Sequence, residues 1–142
     1  MKPGQAQRGF TLLELLVVLV ILGLLATVAG VAYFGRVESA RLQKVEADFG
    51  TLGSALSLYR LDNGSLPSTE QGLGALREPA RIPPQPRRFK PGGYISEVPL
   101  DPWGHAYRYL LPARNADREY DLYTLGADGE PGGEGQDADI YK

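Results

Sequence analysis

The sequence predicts an α+β fold, in which one long N-terminal helix packs its C-terminal half on a small antiparallel sheet. Three observations carry this. Residues 10–34 are almost wholly apolar and contain no proline. Apolar residues then recur at helical spacing from Leu42 to Tyr59. Beyond a proline-rich stretch, two short segments alternate with the two-residue period of half-buried strands. A chain of 142 residues supports one domain with a modest core.

The first element is the apolar one. From Leu15 to Phe34 twenty consecutive residues carry no charge. At about 1.5 Å per residue they match the roughly 30 Å core of a bilayer. A secretory signal has an apolar stretch of about 7–15 residues ending in an A-x-A-like site. This run is longer, and Val31-Ala32-Tyr33-Phe34-Gly35-Arg36 is a poor site of that kind. A soluble helix buried on every side needs more surrounding chain than is present. The expectation is a retained membrane helix over residues 10–35. Glu14 is the exception within it, because a carboxylate at mid-bilayer costs about 2.5–3.5 kcal/mol. Either it marks a function, or it sits one turn inside the helix end and reaches the interface. Flanking charge does not orient the span: Lys2 and Arg8 precede it, and Arg36, Arg41 and Lys44 follow.

The helix is expected to continue beyond the membrane. Leu42, Val45, Phe49, Leu52, Leu56 and Tyr59 step by three and four residues and share one face. Glu46, Asp48, Thr51, Ser54 and Ser57 fall on the solvent side. No proline interrupts residues 10–66, so one rod is predicted, ending near Arg60, where Asn63-Gly64 and Pro67 stop it. Ser68-Thr69-Glu70-Gln71 reads as a capping box opening a short helix to Leu76 or Arg77. Residues 79–91 hold five prolines and four basic residues, an extended surface loop.

Two strands follow, over residues 106–110 and 120–125, joined by the polar run Arg114–Glu119. Asp101-Pro102-Trp103-Gly104 is a turn, with Trp103 as a core anchor. The last segment sets Asp128, Glu130, Glu134, Asp137 and Asp139 among Gly129, Gly132, Gly133 and Gly135, five carboxylates in twelve residues. Glycines allow oxygens to converge on a hard cation such as Ca²⁺. The spacing is not that of an EF-hand. An acidic, unstructured tail is the alternative, and composition leaves both open.

Some chemistry is excluded. The net charge of -2 lacks the clustered basic surface of a nucleic-acid binder. Zero cysteines rule out disulfides, thiolate metal sites and a thiol nucleophile. His105 is the sole histidine, and no Gly-x-Ser-x-Gly elbow, phosphate loop or dinucleotide pattern is present. The chain reads as a non-enzyme.

Arg8-Gly9-Phe10-Thr11-Leu12-Leu13-Glu14-Leu15 resembles the cleavage site of type IV pilins and pseudopilins. Narrower segments resemble the major pseudopilins of bacterial type II secretion: Tyr59-Arg60-Leu61-Asp62-Asn63-Gly64, Thr69-Glu70-Gln71-Gly72-Leu73, Pro99-Leu100-Asp101-Pro102-Trp103-Gly104 and Leu125-Gly126-Ala127-Asp128-Gly129. The resemblance implies a pilin-like fold and three regions. Residues 1–9 form a leader, cut between Gly9 and Phe10 by a prepilin peptidase that methylates Phe10. Residues 10–35 form a transmembrane and filament-core helix, and residues 36–142 a periplasmic domain. It implies that Glu14 neutralises a neighbour's N-terminal amine during assembly, fixing register more than adding stability. It implies a Ca²⁺ held by Asp128, Asp139 and the Leu125 carbonyl, with Asp137 and the Glu130 carbonyl as further candidates and Glu134 facing solvent. The implied partners are copies of itself, minor pseudopilins, an inner-membrane assembly platform and the peptidase. The implied role is a single-pass inner-membrane subunit of a periplasmic fibre that helps export folded proteins across the outer membrane. Rival readings are an adhesive or DNA-uptake pilin, and a membrane-tethered calcium-binding domain.

Overall fold

The computed structural model describes residues 9–142, except the side chains of residues 28–35. One helix, α1, runs Leu12–Asn63. Three short strands follow, β1 (Arg108–Leu110), β2 (Asp121–Thr124) and β3 (Ile140–Tyr141), with 3₁₀ turns at Leu73–Leu76 and Gly135–Asp137. The chain divides into two compact units, Met1–Ser39 and Ala40–Lys142.

In the first unit the described apolar side chains up to Leu25 are exposed. Phe10, Leu12, Leu13 and the apolar residues from Leu15 to Leu25 are 44–84% exposed. Among the described residues no helix is long and apolar enough to cross a membrane. The predicted span continues through residues 28–35, whose side chains lie outside the described residues, as do leader residues 1–8.

The second unit is built on the stripe. Val45, Phe49, Leu52, Leu56 and Tyr59 are all at most 5% exposed, and Leu52 and Leu56 are wholly buried. A Leu→Ala change at such a site costs about 2–5 kcal/mol. Leu42, predicted on this face, is 42% exposed; it lies one turn before the stretch of α1 that the core covers. Asp48, expected in solvent, is half-buried because it accepts the Tyr107 hydroxyl proton at 2.7 Å and pairs with Lys44 at 2.6 Å. The helix ends three residues later than predicted. Gly64, at φ 80°, takes the left-handed conformation that stops it, its N–H donating to the Arg60 carbonyl at 2.7 Å.

The sheet has the order β1-β2-β3, antiparallel throughout. Tyr109 faces Leu122, and both are buried in the cluster formed with α1. Tyr107 points the same way and meets Phe49 at 5.5 Å between ring centroids. On the other face Tyr123 stacks on Tyr141 at 4.8 Å. The strands are shorter than the alternation suggested, and β3 was not foreseen: two residues are too few to show a period. The predicted capping box is present, with Ser68 N–H on Gln71 Oε1 at 2.9 Å and Gln71 N–H on Ser68 Oγ at 3.3 Å. It closes a turn over residues 68–72, and the element after it is a four-residue 3₁₀ turn, Leu73–Leu76, with no side-chain cap, rather than an α-helix. Residues 79–91 contain no helix or strand.

Candidate functional site

At the N-terminus, Gly9 and Phe10 precede the helix in irregular backbone, and Phe10 is 75% exposed. Glu14 has a local role that the residue pattern had signalled and the sequence reading had missed. Its backbone N–H donates to Thr11 Oγ1 at 3.2 Å, and Thr11 N–H donates to Glu14 Oε2 at 3.4 Å. Thr-x-x-Glu is a capping box that satisfies two of the free amides at the helix start. The carboxylate is thereby held one residue from Phe10, and it lies at the end of the helix that favours negative charge.

At the other end of the chain, the segment after β2 folds into a loop closed by backbone contacts. Ala127 N–H donates to the Gln136 carbonyl at 2.9 Å, and Asp139 N–H to the Gly132 carbonyl at 3.1 Å. Gly126 makes this closure possible. It sits at φ 73°, and a Cβ there would lie 2.8 Å from the Gln136 carbonyl oxygen. Asp128 turns the chain by accepting the Glu130 N–H at 3.0 Å.

Leu125, Glu130 and Asp139 line one cleft of about 400 Å³, together with Arg108, Arg114 and Tyr123. Asp128 lines an adjoining cleft of about 260 Å³ that shares Leu125, Gly129 and Arg108. Four of the five predicted ligand positions therefore line two clefts that share Leu125 and Gly129, with Asp128 in one and Glu130 and Asp139 in the other, whereas Asp137 lines neither. Among the described residues no three acidic or histidine side chains gather as a metal cage. Any ion here would rely on backbone carbonyls and water as well as two carboxylates. Asp139 Oδ1 is buried without a hydrogen-bond partner. An orphaned carboxylate oxygen is costly to bury and calls for a partner. The carboxylates and backbone carbonyls offer oxygen, the donor a hard cation such as Ca²⁺ takes, and His105 also lines the Asp128 cleft.

The loop is braced by a residue that the sequence reading placed only in a turn. Asp101, 4% exposed, accepts Trp103 N–H at 3.0 Å and His105 N–H at 2.8 Å through Oδ1, and the Thr124 hydroxyl through Oδ2. Thr124 Oγ1 in turn accepts Gly126 N–H at 3.3 Å. His105 lies with Nδ1 3.1 Å from the Gly126 carbonyl, and its ring packs on Gly129. The only histidine of the sequence thus sits against the loop after β2. The readable signal was Asp followed by Pro, which favours such a turn. Trp103, expected as a core anchor, is only partly buried against the core, with the Arg41 guanidinium 5.9 Å from its ring centroid.

Comparison with known proteins agrees across the chain. A family model described as type II secretion system protein G matches residues 32–142, and a prokaryotic N-terminal methylation motif matches residues 4–30. The type II secretion system core protein G of Vibrio cholerae is 48% identical over 141 residues, covering 99% of this chain and 94% of the relative. Its counterpart from Pseudomonas aeruginosa is 44% identical over 134 residues, covering 94% and 93%. The crystal structure of the major pseudopilin of enterohaemorrhagic Escherichia coli type 2 secretion superposes with a TM-score of 0.67 at 41% identity, covering 75% of this chain and 86% of that one. From its methylation motif to its C-terminal loop, the chain belongs to the type II secretion system protein G family.

Proposed function

We propose that the chain is the major structural subunit of a type II secretion pseudopilus. It polymerises with copies of itself into a periplasmic fibre that helps move folded proteins across the outer membrane. One observation carries this reading: a single chain joins the methylation motif, over residues 4–30, to the protein G match over residues 32–142. In this reading a prepilin peptidase removes residues 1–9 and methylates Phe10. Residues 10–35 then anchor the chain in the inner membrane, and residues 36–142 lie in the periplasm. Minor pseudopilins and the inner-membrane assembly platform are its other partners. Its task is structural rather than catalytic. The exposed apolar side chains from Phe10 to Leu25 suit lipid before assembly and sibling helices after it. Glu14 meets the N-terminal amine of a neighbour. Mass spectrometry of the membrane fraction should show loss of residues 1–9 and one added methyl group, and electron microscopy should show fibres. An intact leader, or a cut beyond Phe34, overturns the reading.

The acidic loop is proposed to hold Ca²⁺ through Asp128, Asp139 and the Leu125 carbonyl, with the Glu130 carbonyl and Asp137 as further candidates. The buried, unpartnered Asp139 Oδ1 is the observation that supports it. A bound ion would neutralise the Asp128 and Asp139 carboxylates. The test is a thermal melt of residues 40–142 in EGTA and then in excess calcium, with magnesium as the control. A melt unmoved by calcium overturns the assignment.

A further inference from the structure

The proline-rich segment carries a dense run of unpaired positive charge in the second unit. Arg81, Arg87, Arg88 and Lys90 are all exposed, and no carboxylate lies between Arg81 and Lys90 in sequence. Among the described residues, the ion pairs are Lys44–Asp48, Arg60–Glu119, Arg77–Glu78 and His105–Asp101, and none uses these four side chains. The segment is nonetheless held in place. Arg88 N–H donates to Asn63 Oδ1 at 2.9 Å, and the Gln71 side-chain amide donates to the Ile82 and Pro84 carbonyls at 2.9 and 2.7 Å. It is a presented basic rim. Between it and the helix end is a cleft of about 190 Å³ lined by Tyr59, Asn63, Ser65 and Arg87. That space takes one carboxylate side chain beside a guanidinium.

The opposite charge lies at the other end of the same stretch of helix. Asp128, Glu130, Glu134 and Asp137 are exposed, and no basic residue falls between positions 128 and 139. This loop is tied to Arg41 through Gln136 at 2.9 Å, whereas the basic rim is tied to Asn63. Arg41 and Asn63 are 22 positions apart in one helix, which is about 33 Å of axial rise. Salt screens charges beyond about 8 Å at physiological strength. Within one copy, then, the two patches cannot neutralise each other.

We infer that the basic rim of one copy docks on the acidic loop of another, in a head-to-tail contact between copies of this chain. The inference rests on the fibre reading above and names a contact within that fibre. A heterologous contact of this kind repeats without closing, which is what an open helical fibre requires. The carboxylate groups of Glu130 and Glu134 lie outside the proposed calcium ligand set, so they stay free for the rim when the ion is bound. Charge complementarity of this sort sets orientation and suppresses the wrong docking.

The chain has no cysteine, so an introduced pair reports cleanly. In full-length protein assembled in membranes, Arg87→Cys combined with Glu134→Cys should give a ladder of disulfide-linked oligomers. A bond within one copy is excluded, because a disulfide needs Cα atoms about 4.4–6.8 Å apart. Leu16→Cys, in the apolar helix, reports separately on whether helices of different copies meet. Arg87→Glu with Arg88→Glu should cut fibre yield about tenfold, a few surface pairs' worth. Adding Glu130→Lys and Glu134→Lys should restore it. If Leu16 cross-links form while the ladder and the charge-swap rescue both fail, the contact is wrong and the fibre stands. If Leu16 cross-links and fibres are also absent, both readings fall. If the rim variant assembles normally but no longer sediments with phosphatidylglycerol vesicles, the rim faces lipid and the contact is overturned.

Discussion

Replacing Asp101 tests whether the acidic loop is braced by the turn beneath it. Its side chain is the acceptor for three donors, the Trp103 and His105 amides and the Thr124 hydroxyl. Asp101→Ala strands all three in a buried site. Each buried donor left unmet costs about 1–3 kcal/mol, so three cost about 3–9 kcal/mol against a total stability of about 5–15 kcal/mol. For a domain of this size about 1 kcal/mol moves the melting temperature by some 4–8 °C, so the variant should melt about 12 °C lower or more. Asp101→Asn is the informative partner. It keeps an oxygen for both amides, and the Thr124 hydroxyl can rotate to accept from the new amide, so the cost should be near 1 kcal/mol. The assay is circular dichroism of residues 40–142 during heating. An alanine variant within about 3 °C of wild type, or an asparagine variant as unstable as alanine, would refute the argument.

Calcium at a hundredfold excess over its Kd should stabilise the second unit by about 2.7 kcal/mol, some 10 °C or more. Asp128→Ala and Asp139→Ala should each remove most of that shift, while Glu134→Ala should leave it nearly intact. Glu14→Ala should still insert in the membrane, since a desolvation cost disappears, yet assemble poorly; fibres at wild-type yield would leave Glu14 only its capping role at Thr11. Burial and the adjacent Asp48 carboxylate push the Tyr107 hydroxyl above its ordinary pKa of 10.0. The folded state then favours the protonated phenol, so its contribution is full below about pH 10 and is lost as pH rises through the folded value. Tyr107→Phe should reduce the alkaline decline in stability, leaving the part owed to Tyr109, which burial also raises; an unchanged pH profile would count against this.

What the sequence determined by itself was whatever depends on local periodicity and on residues with one dominant conformational habit. The three-and-four spacing from Val45 to Tyr59 identified the buried face, because a helix brings such residues to one side whatever packs there. Asn63-Gly64 marked the helix end, and Ser68 and Gln71 their reciprocal hydrogen bonds, because both signals act within a few residues. The Gly9–Phe10 junction and the family segments were likewise legible as residue strings. Only the tertiary structure decided where long-range partners fall. That Asp48 turns inward follows from Tyr107, just before β1, lying against that turn of the helix, 59 positions away. Asp101 and Thr124 are unremarkable apart, and become one buried hub when the turn meets the end of β2. Five acidic residues in a row of glycines left calcium loop and loose tail equally open. The fold closes this segment into a loop through backbone bonds and buries one oxygen of Asp139, with Leu125 and Glu130 lining the same cleft, while Asp137 lines neither cleft. Convergence of oxygens is a property of loop closure between distant backbone groups, and no residue pattern encodes it alone.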